Sequence, residues 1–432
     1  MKEIMERDRD MMFPEEIWEE IFKRIDDVDD LIKLQSVCLN FNKWIQRILD
    51  RDIYWKKYCQ DIPDECGYAI LNKVFPDLVH KVDVPWQDVV DNYGWRKIYM
   101  SRKKWNSCLK RKPFIDSVKN FPTFSKYECI TCTAVWDDIL AVATSEGLIY
   151  FSRTYKPDKV FFQADHKEHV HQIKFWYTDN QLIAVTSSIY ERIKYWNVTE
   201  KKEIDTNNCY RGTIISINQN GCYLAYNNYL ILTKYSDANE SIIPHVIASS
   251  DFDDNEDIIA TYSPNKFIIM LTINNSVIGR HVVYTPTNKY EVDDLNISLN
   301  LDLENKVTQK FYVLSIDVVI GLCGHMLAVS VDDKPWKVYN IFKQLLCVVT
   351  AIACHANILI LGYDSGFIHI FRLKNLKDLI DFDFTTEDCK KIKVDRDPII
   401  SLEVTDIQDE QFVIASTDKN LHVIRFFNST AN

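Results

Sequence analysis

Apolar residues in the first part of the chain recur every three or four positions, which is the spacing of one face of a helix. The recurrent positions are Ile17, Ile21, Phe22, Ile25, Leu31, Leu34, Val37, Cys38 and Phe41. They predict short helices, the second of them capped by Asp29 or Asp30. A unit of about 45 residues has too small an interior to bury so many large groups. Some of these side chains are therefore expected to face a partner.

The helical spacing resumes between Trp86 and Trp105 and ends before Pro113, because proline does not continue a helix. Beyond Pro113 the pattern changes to the alternation of half-buried strands. We therefore expect a helical linker over residues 60–112 and an all-β region over 113–432.

The all-β region contains seven copies of one pattern of apolar strands and tight turns, at a mean spacing of about 45 residues, which suits a blade of four strands. The second and third strands of the copies are expected at 139–143 and 148–151, 182–185 and 193–196, 223–226 and 230–232, 267–270 and 277–284, 326–329 and 336–339, 358–361 and 367–371, and 412–415 and 421–424. Residues 285–310 exceed a normal connection and predict an insertion loop. Residues 114–118 are expected to supply the outer strand of the last copy, since too few residues follow it.

The N-terminal segment over residues 12–59 resembles the F-box, in the order Phe-Pro, Glu-Ile, paired leucines, Val-Cys, an aromatic and Trp. Phe13 stands where that family usually has Leu, and Phe41 where it usually has Trp. The resemblance implies docking on the Skp adaptor of cullin–RING ubiquitin ligases. The residues that it assigns to adaptor binding are Phe13, Pro14, Ile17, Ile21, Leu31, Leu34, Val37, Cys38, Phe41, Trp44 and Trp55. The alternative is an ordinary helical subdomain that caps a larger core.

The repeats resemble degenerate WD repeats of a β-propeller. The strongest match is residues 165–175, which contain His166 and lead to Tyr195-Trp196-Asn197. Asp165 replaces the family's usual Gly, and Asn197 its usual Asp. The fold class expected from both resemblances is an N-terminal all-α F-box and helical linker, followed by an all-β propeller with seven blades.

Composition narrows the functional classes. The 432 residues are 47% hydrophobic and 26% charged, which indicates a globular chain, and the net charge of −11 argues against a general nucleic-acid binder. Residues 1–10 are charged, so no signal peptide is expected, and no apolar stretch reaches the ~18–20 residues of a membrane span. A cytoplasmic or nuclear location is expected, with the 12 cysteines as free thiols.

Enzyme and metal chemistry find little support. The pair Cys129 and Cys132 lacks a second pair for zinc, and a metal site at His166, His169 and His171 lacks further ligands, so a structural role is the favoured alternative. The sequence has no phosphate loop and no nucleophile motif. We therefore expect no enzymatic activity, no cofactor and no metal.

Substrate capture is assigned to turns of the repeats. Arg192, Arg211 and Arg396, with Lys334 and Trp336, are expected on one rim, where they could meet an acidic or phosphorylated peptide. Alternatively, Trp336 packs between blades.

Together these features predict a substrate-recognition subunit of a Skp–cullin–F-box ubiquitin ligase. Its partners would be the adaptor, through it the cullin and RING subunits, and a protein substrate, with no nucleic acid and no membrane. The alternative is a scaffold that recruits the adaptor without substrate ubiquitination.

Overall fold

The computed structural model describes residues 13–25, 27–75, 85–90, 94–119, 126–206, 210–218, 221–226, 229–236, 241–249, 256–262, 268–274, 278–284, 290–298, 310–315, 318–331, 336–407 and 410–427. The chain forms two compact units. Unit 1 comprises Met1–Ile62 and Val90–Met100, and unit 2 comprises Pro63–Val89 and Ser101–Asn432. As predicted, helices come first and antiparallel sheets follow.

Unit 1 is built from short helices. They are α1 (Glu15–Lys23), α2 (Val28–Gln35), α3 (Leu39–Leu49), α4 (Asp52–Cys59) and the first part of α7 (Trp95–Ser107). The cap of α2 differs from the prediction: Asp27 is the N-cap, and its carboxylate accepts a hydrogen bond of 2.7 Å from the Asp29 amide. Asp29 and Asp30 lie in the first turn instead, where acidic side chains favour the helix dipole. Phe22, Val28, Leu31, Ile45 and Ile48 are buried in unit 1.

The helices of unit 2 precede its sheets and include α5 (Asp64–Val74) and α6 (Trp86–Val89). Gly67 permits their close packing, because a Cβ at this position would lie 2.3 Å from Cε2 of Trp86. The Trp86 indole also donates a hydrogen bond of 3.1 Å to Asp64. Among the described residues, no helix combines the length and apolar character that crossing a bilayer requires.

Seven antiparallel sheets of four strands each make up the rest of the described part of unit 2. The first sheet contains β2 (Ile130–Trp136), β3 (Ile139–Thr144), β4 (Leu148–Arg153) and β5 (Lys156–Asp165), and the second contains β6 (Val170–Thr178), β7 (Gln181–Ser188), β8 (Ile193–Asn197) and β9 (Lys202–Ile204). The third contains β10 (Thr213–Asn218), β11 (Gly221–Tyr226), β12 (Tyr229–Ser236) and β13 (Ser241–Ser249), and the fourth contains β14 (Glu256–Tyr262), β15 (Ile268–Asn274), β16 (Ile278–Tyr284) and β17 (Tyr290–Ser298). The fifth contains β18 (Lys310–Ser315), β19 (Val318–Cys323), β20 (Met326–Val331) and β21 (Lys337–Asn340), and the sixth contains β22 (Val349–His355), β23 (Ile358–Tyr363), β24 (Phe367–Arg372) and β25 (Cys389–Lys393). A short helix, α8 (Ile341–Leu345), and a 3₁₀ helix (Leu376–Asp381) interrupt them.

The seventh sheet joins the two ends of unit 2. It contains β26 (Ser401–Ile407), β27 (Glu410–Ser416), β28 (Asn420–Phe427) and, as its outer strand, β1 (Lys112–Lys119). β1 runs antiparallel to β28, from Lys112 opposite Phe427 to Lys119 opposite Asn420. The predicted pairing of residues 114–118 with the last copy is confirmed.

The repeat pattern was correct except in two places. In the fifth sheet, residues 326–329 and 337–339 belong to the third and fourth strands, because Val318–Cys323 is the second strand. The predicted insertion loop at 285–310 is wrong for Tyr290–Ser298, which forms β17, while residues 285–289 and 299–309 lie outside the described residues. An outer strand has one paired neighbour and therefore tolerates a polar sequence.

Neighbouring sheets pack face to face through mixed apolar clusters. Phe151 of the first sheet contacts Phe175 of the second, with ring centroids 6.3 Å apart. The Tyr195 hydroxyl of the second sheet forms a hydrogen bond of 2.8 Å with the Thr233 hydroxyl of the third sheet. Similar clusters join the fifth sheet to the sixth, the sixth to the seventh, and the seventh to the first. Burial of these faces gives unit 2 its core.

Candidate functional site

Unit 1 exposes several large apolar side chains. Phe13 is 58% exposed, and Ile17 and Ile21 are also exposed on α1, four residues apart and therefore on one face of the helix. Val37, in the turn between α2 and α3, is 63% exposed, and Leu39, at the start of α3, is 87% exposed. We refer to these five residues as the exposed apolar set. Side chains of this kind are usual at surfaces that bind another protein.

An aromatic cluster joins α1 to α3. The Trp18 ring contacts Phe13, Phe22, Phe41 and Trp44, with centroid distances of 5.9, 5.8, 4.8 and 6.4 Å. Because Trp18 and Phe22 belong to α1 and the other two interior rings to α3, the cluster fixes α1 against α3. It also explains why Phe41 and Trp44 point inward.

The structure divides the predicted adaptor-binding residues into two groups. Phe13, Pro14, Ile17, Ile21, Val37 and Cys38 are exposed, whereas Leu34 and Phe41 are half-buried and Leu31, Trp44 and Trp55 are buried. Leu31 has no exposed surface, and the Trp55 indole donates a hydrogen bond of 2.8 Å to the Leu49 carbonyl. The buried members support the helices of unit 1 in this structure. The predicted adaptor-binding residues did not include Leu39, Ile32 or Ile53, although all three are exposed apolar residues.

Ion pairs hold α1 near its neighbours. Glu15 pairs with Arg47 of α3, and Glu19 lies 3.6 Å from the Arg51 guanidinium. Such exposed pairs contribute little to stability, about 0–1 kcal/mol each. Their effect here is to orient the helix that carries Ile17 and Ile21.

The second candidate surface depends on which ends of the sheets carry the predicted substrate residues. In each antiparallel sheet, the chain enters the first strand at the end where the turn between the second and third strands also lies; we call this the leading end, and the opposite one the trailing end. Arg192 precedes the third strand β8, and Arg211 and Arg396 precede the first strands β10 and β26. All three therefore lie at leading ends.

Trp336 does not lie with the three arginines. It precedes β21, a fourth strand, which begins at the trailing end of its sheet. The expectation that it shares their rim is wrong, because the strand expected to be the third of the fifth copy is the fourth strand of its sheet. The Trp336 side chain is half-buried, and Lys334 lies outside the described residues.

The arginines are exposed but differ in their contacts. The Arg192 guanidinium forms an ion pair of 2.6 Å with Glu168, and Arg192 and Arg211 form an isolated antiparallel bridge. The Arg396 amide donates a hydrogen bond of 2.6 Å to Asp395. Arg192 is thus already neutralised by a carboxylate, which weakens the case for it as an anion-binding residue.

Exposed aromatic residues at leading ends were missed by sequence reasoning. Tyr190 is 67% exposed in the turn before β8, beside the exposed Ile189, and Tyr127 is 80% exposed before β2. Apolar residues within a turn that is otherwise polar are the signal that could have identified them.

The comparisons with known proteins identify no family. No model of a known protein family matches the chain, and no curated protein matches it. Among solved structures, the chain is similar to the β-propeller domain of Cps50 (Swd1) from Myceliophteria thermophila, with 8% identity, a TM-score of 0.47, and coverage of 71% of this chain and 99% of that one. It is also similar to the computationally designed Ika8 protein, with 11% identity, a TM-score of 0.43, and coverage of 72% and 100%.

Proposed function

We propose that this chain is a substrate-recognition subunit of a Skp–cullin–F-box ubiquitin ligase, acting in the cytoplasm or nucleus. In this proposal unit 1 is an F-box that docks on a Skp-type adaptor, and through it on the cullin and RING subunits. Unit 2 captures a protein substrate. The chain contributes no ubiquitin-transfer chemistry of its own; it raises the effective concentration of substrate near a conjugating enzyme.

The observation that carries the proposal is the exposed apolar set. Its five members lie on or beside α1 and between the end of α2 and the start of α3, whereas the interior of unit 1 is already filled by buried residues such as Leu31, Trp44 and Ile45. Since the interior of unit 1 cannot accept them, their burial requires another surface. The same residues belong to the segment that resembles the F-box.

We further infer that unit 2 is a seven-bladed propeller whose ring is closed by β1. Seven four-stranded sheets support this inference, and apolar clusters join the first to the second, the second to the third, the fifth to the sixth and the sixth to the seventh. So does the core shared by the seventh and first sheets, in which Ile414 and Val142 are both fully buried. Completing the last sheet with a strand from before the first repeat would remove exposed sheet edges.

Adaptor binding is tested with the purified full chain and a purified Skp-type adaptor. Changing Ile17 and Val37 together to Glu should weaken binding by at least about 30-fold, because hot-spot residues of an interface contribute about 2 kcal/mol or more. A control that changes Gln46 and Gln60 to Glu adds the same two charges at exposed polar positions of unit 1 and should bind like the parent. Leu31→Ala is unsuitable, because a cavity in the core costs about 2–5 kcal/mol of stability.

Equal affinity of the parent and the Ile17/Val37 variant would reject the docking assignment. If the adaptor binds but no substrate is ubiquitinated in a reaction that depends on this chain, the ligase role is rejected in favour of the scaffold.

A further inference from the structure

A groove about 500 Å³ in volume opens at the trailing ends of the first and second sheets. Its walls come from the start of β3, the end of β4, the outer strand β5, and the turn between β8 and β9. The lining residues are Ile139, Arg153, Lys156, Lys159, Phe161, Val198, Thr199 and Lys201. Grooves of about 300–1,000 Å³ are the size that proteins use for specific ligands.

The charge of the groove is opposite to that of the chain. Four of its eight lining residues are cations and none is a carboxylate, whereas the whole chain carries a net charge of −11. Arg153 forms an ion pair with Asp138 outside the lining. Lys156, Lys159 and Lys201 form no ion pair with a described residue. The groove therefore presents about three uncompensated positive charges.

The Phe161 ring orients two of the cations. The Arg153 guanidinium and the Lys201 ammonium both lie over this ring, 5.5 and 5.6 Å from its centroid. Cation–π contacts of this kind contribute about 0.5–1 kcal/mol at exposed sites. They reduce the conformational freedom of two long side chains before a ligand arrives, which lowers the entropic cost of binding.

We propose that this groove binds an acidic peptide segment in which an apolar side chain lies between closely spaced anionic groups. The lysines would contact the anions, the exposed Thr199 hydroxyl would donate a hydrogen bond, and the apolar side chain would pack on Ile139. A nucleobase fits less well, because the cations already cover the ring that would stack on it. The groove is remote in sequence from the exposed apolar set, and the proposal does not depend on adaptor docking.

The test measures binding of fluorescein-labelled peptides to the full chain by anisotropy at physiological salt. The probes are Asp-Asp-Leu-Glu-Glu, the same peptide with two phosphoserines in place of the aspartates, and a neutral Asn-Asn-Leu-Gln-Gln peptide. Both anionic peptides should bind with a Kd below about 1 mM and the neutral peptide should not. Tighter binding of the phosphorylated peptide would identify phosphate as the preferred anion, and equal binding would show that carboxylates suffice.

Charge reversal in the groove provides the decisive comparison. Lys156→Glu, Lys159→Glu and Lys201→Glu together should raise the Kd at least tenfold, and Phe161→Leu, which leaves the charge unchanged, about threefold. The matched control reverses three exposed lysines elsewhere in unit 2, Lys234, Lys343 and Lys374, and should stay within twofold of the parent, because surface charges are screened beyond about 8 Å.

Equal losses in the two triple variants would overturn the proposal, since they would indicate diffuse attraction rather than a site. The proposal would also be overturned if neither anionic peptide bound, or if the groove bound inorganic tripolyphosphate but no peptide. If the groove triple variant does not fold, Lys201→Gln with Phe161→Leu replaces it, with the same tenfold expectation.

Discussion

The buried carboxylate of Asp406 is predicted to be a principal source of stability in unit 2. Asp406 lies on β26 and accepts hydrogen bonds from the Ser101 hydroxyl at 2.6 Å, the Trp105 indole at 3.0 Å and the Gln411 amide at 3.1 Å. Ser101 and Trp105 lie on α7, so this one side chain ties the end of that helix to the seventh sheet. Trp105 itself has no exposed surface.

The electrostatics of Asp406 are set by the same neighbours. Burial alone would raise the pKa of its carboxyl group, but the nearby His355 ring and the donors on Ser101 and Trp105 outweigh burial and lower it. The His355 nitrogen lies 3.7 Å from the carboxylate, which is too far for a hydrogen bond, so its influence on this pKa is electrostatic. A carboxyl group with a lowered folded pKa contributes stability above its unfolded pKa, and that stability is lost as pH falls through the folded pKa.

Asp406→Ala removes three hydrogen bonds and leaves the Trp105 indole and the Ser101 hydroxyl buried without an acceptor. Each orphaned buried donor costs about 1–3 kcal/mol, so we expect a total loss of about 3–5 kcal/mol in the free energy of unfolding. The assay is urea denaturation of the full chain, followed by tryptophan fluorescence and far-UV circular dichroism. Asp397→Ala removes a carboxylate that is exposed and should change this free energy by less than about 0.5 kcal/mol.

A double-mutant cycle separates the hydrogen bond from the packing of the indole. Trp105→Phe keeps a ring in place but deletes the donor, so its cost should be smaller when Asp406 is already Ala, by about 1–2 kcal/mol. The role of Asp406 as hydrogen-bond acceptor for Trp105 would be refuted if the stability costs of the two substitutions were additive. It would also be refuted if Asp406→Ala and Asp397→Ala had the same urea midpoint.

Three further predictions follow from unit 2. Deleting residues 112–119 should lower the melting temperature by about 10 °C or more, because β28 loses its partner strand; an unchanged melting temperature in differential scanning calorimetry would contradict this. Gly366→Ala should destabilise the fold by about 2 kcal/mol more than Gly324→Ala, and equal urea midpoints of the two variants would contradict this. Both glycines have a positive φ, but only at Gly366 would the added Cβ lie 2.3 Å from a backbone oxygen. Burial tends to raise the pKa of Asp395, but its hydrogen bonds, including one of 2.7 Å with His422, hold this pKa at about 2. The free energy of unfolding should therefore fall as pH is lowered from about 4 towards 2, and Asp395→Asn should flatten that dependence in acid titrations.

The succession of helices and strands was determined locally and could be predicted from the sequence. Helical and strand periods differ so clearly that the change near Pro113 marked the start of the all-β region to within a residue of β1. The outer strand of the last sheet, expected at residues 114–118, also followed from the sequence, and β1 supplies it. Strand numbering in the fifth copy did not, because β19 and β20 are both apolar and only two residues separate them. Periodicity identifies strands but does not say which neighbour each one pairs with.

The position of individual side chains was decided only by tertiary packing. Leu31 and Val37 are both apolar and both fit the helical spacing, yet Leu31 has no exposed surface and Val37 is 63% exposed. The difference arises because Leu31 belongs to the buried interior of unit 1, whereas Val37 lies in the turn that follows α2. In the same way, Lys156 and Lys201 are distant in sequence and belong to different sheets, and they line one groove only because the first two sheets pack against each other. The sequence pattern indicates which residues favour burial, whereas contacts between distant segments decide which of those residues are buried.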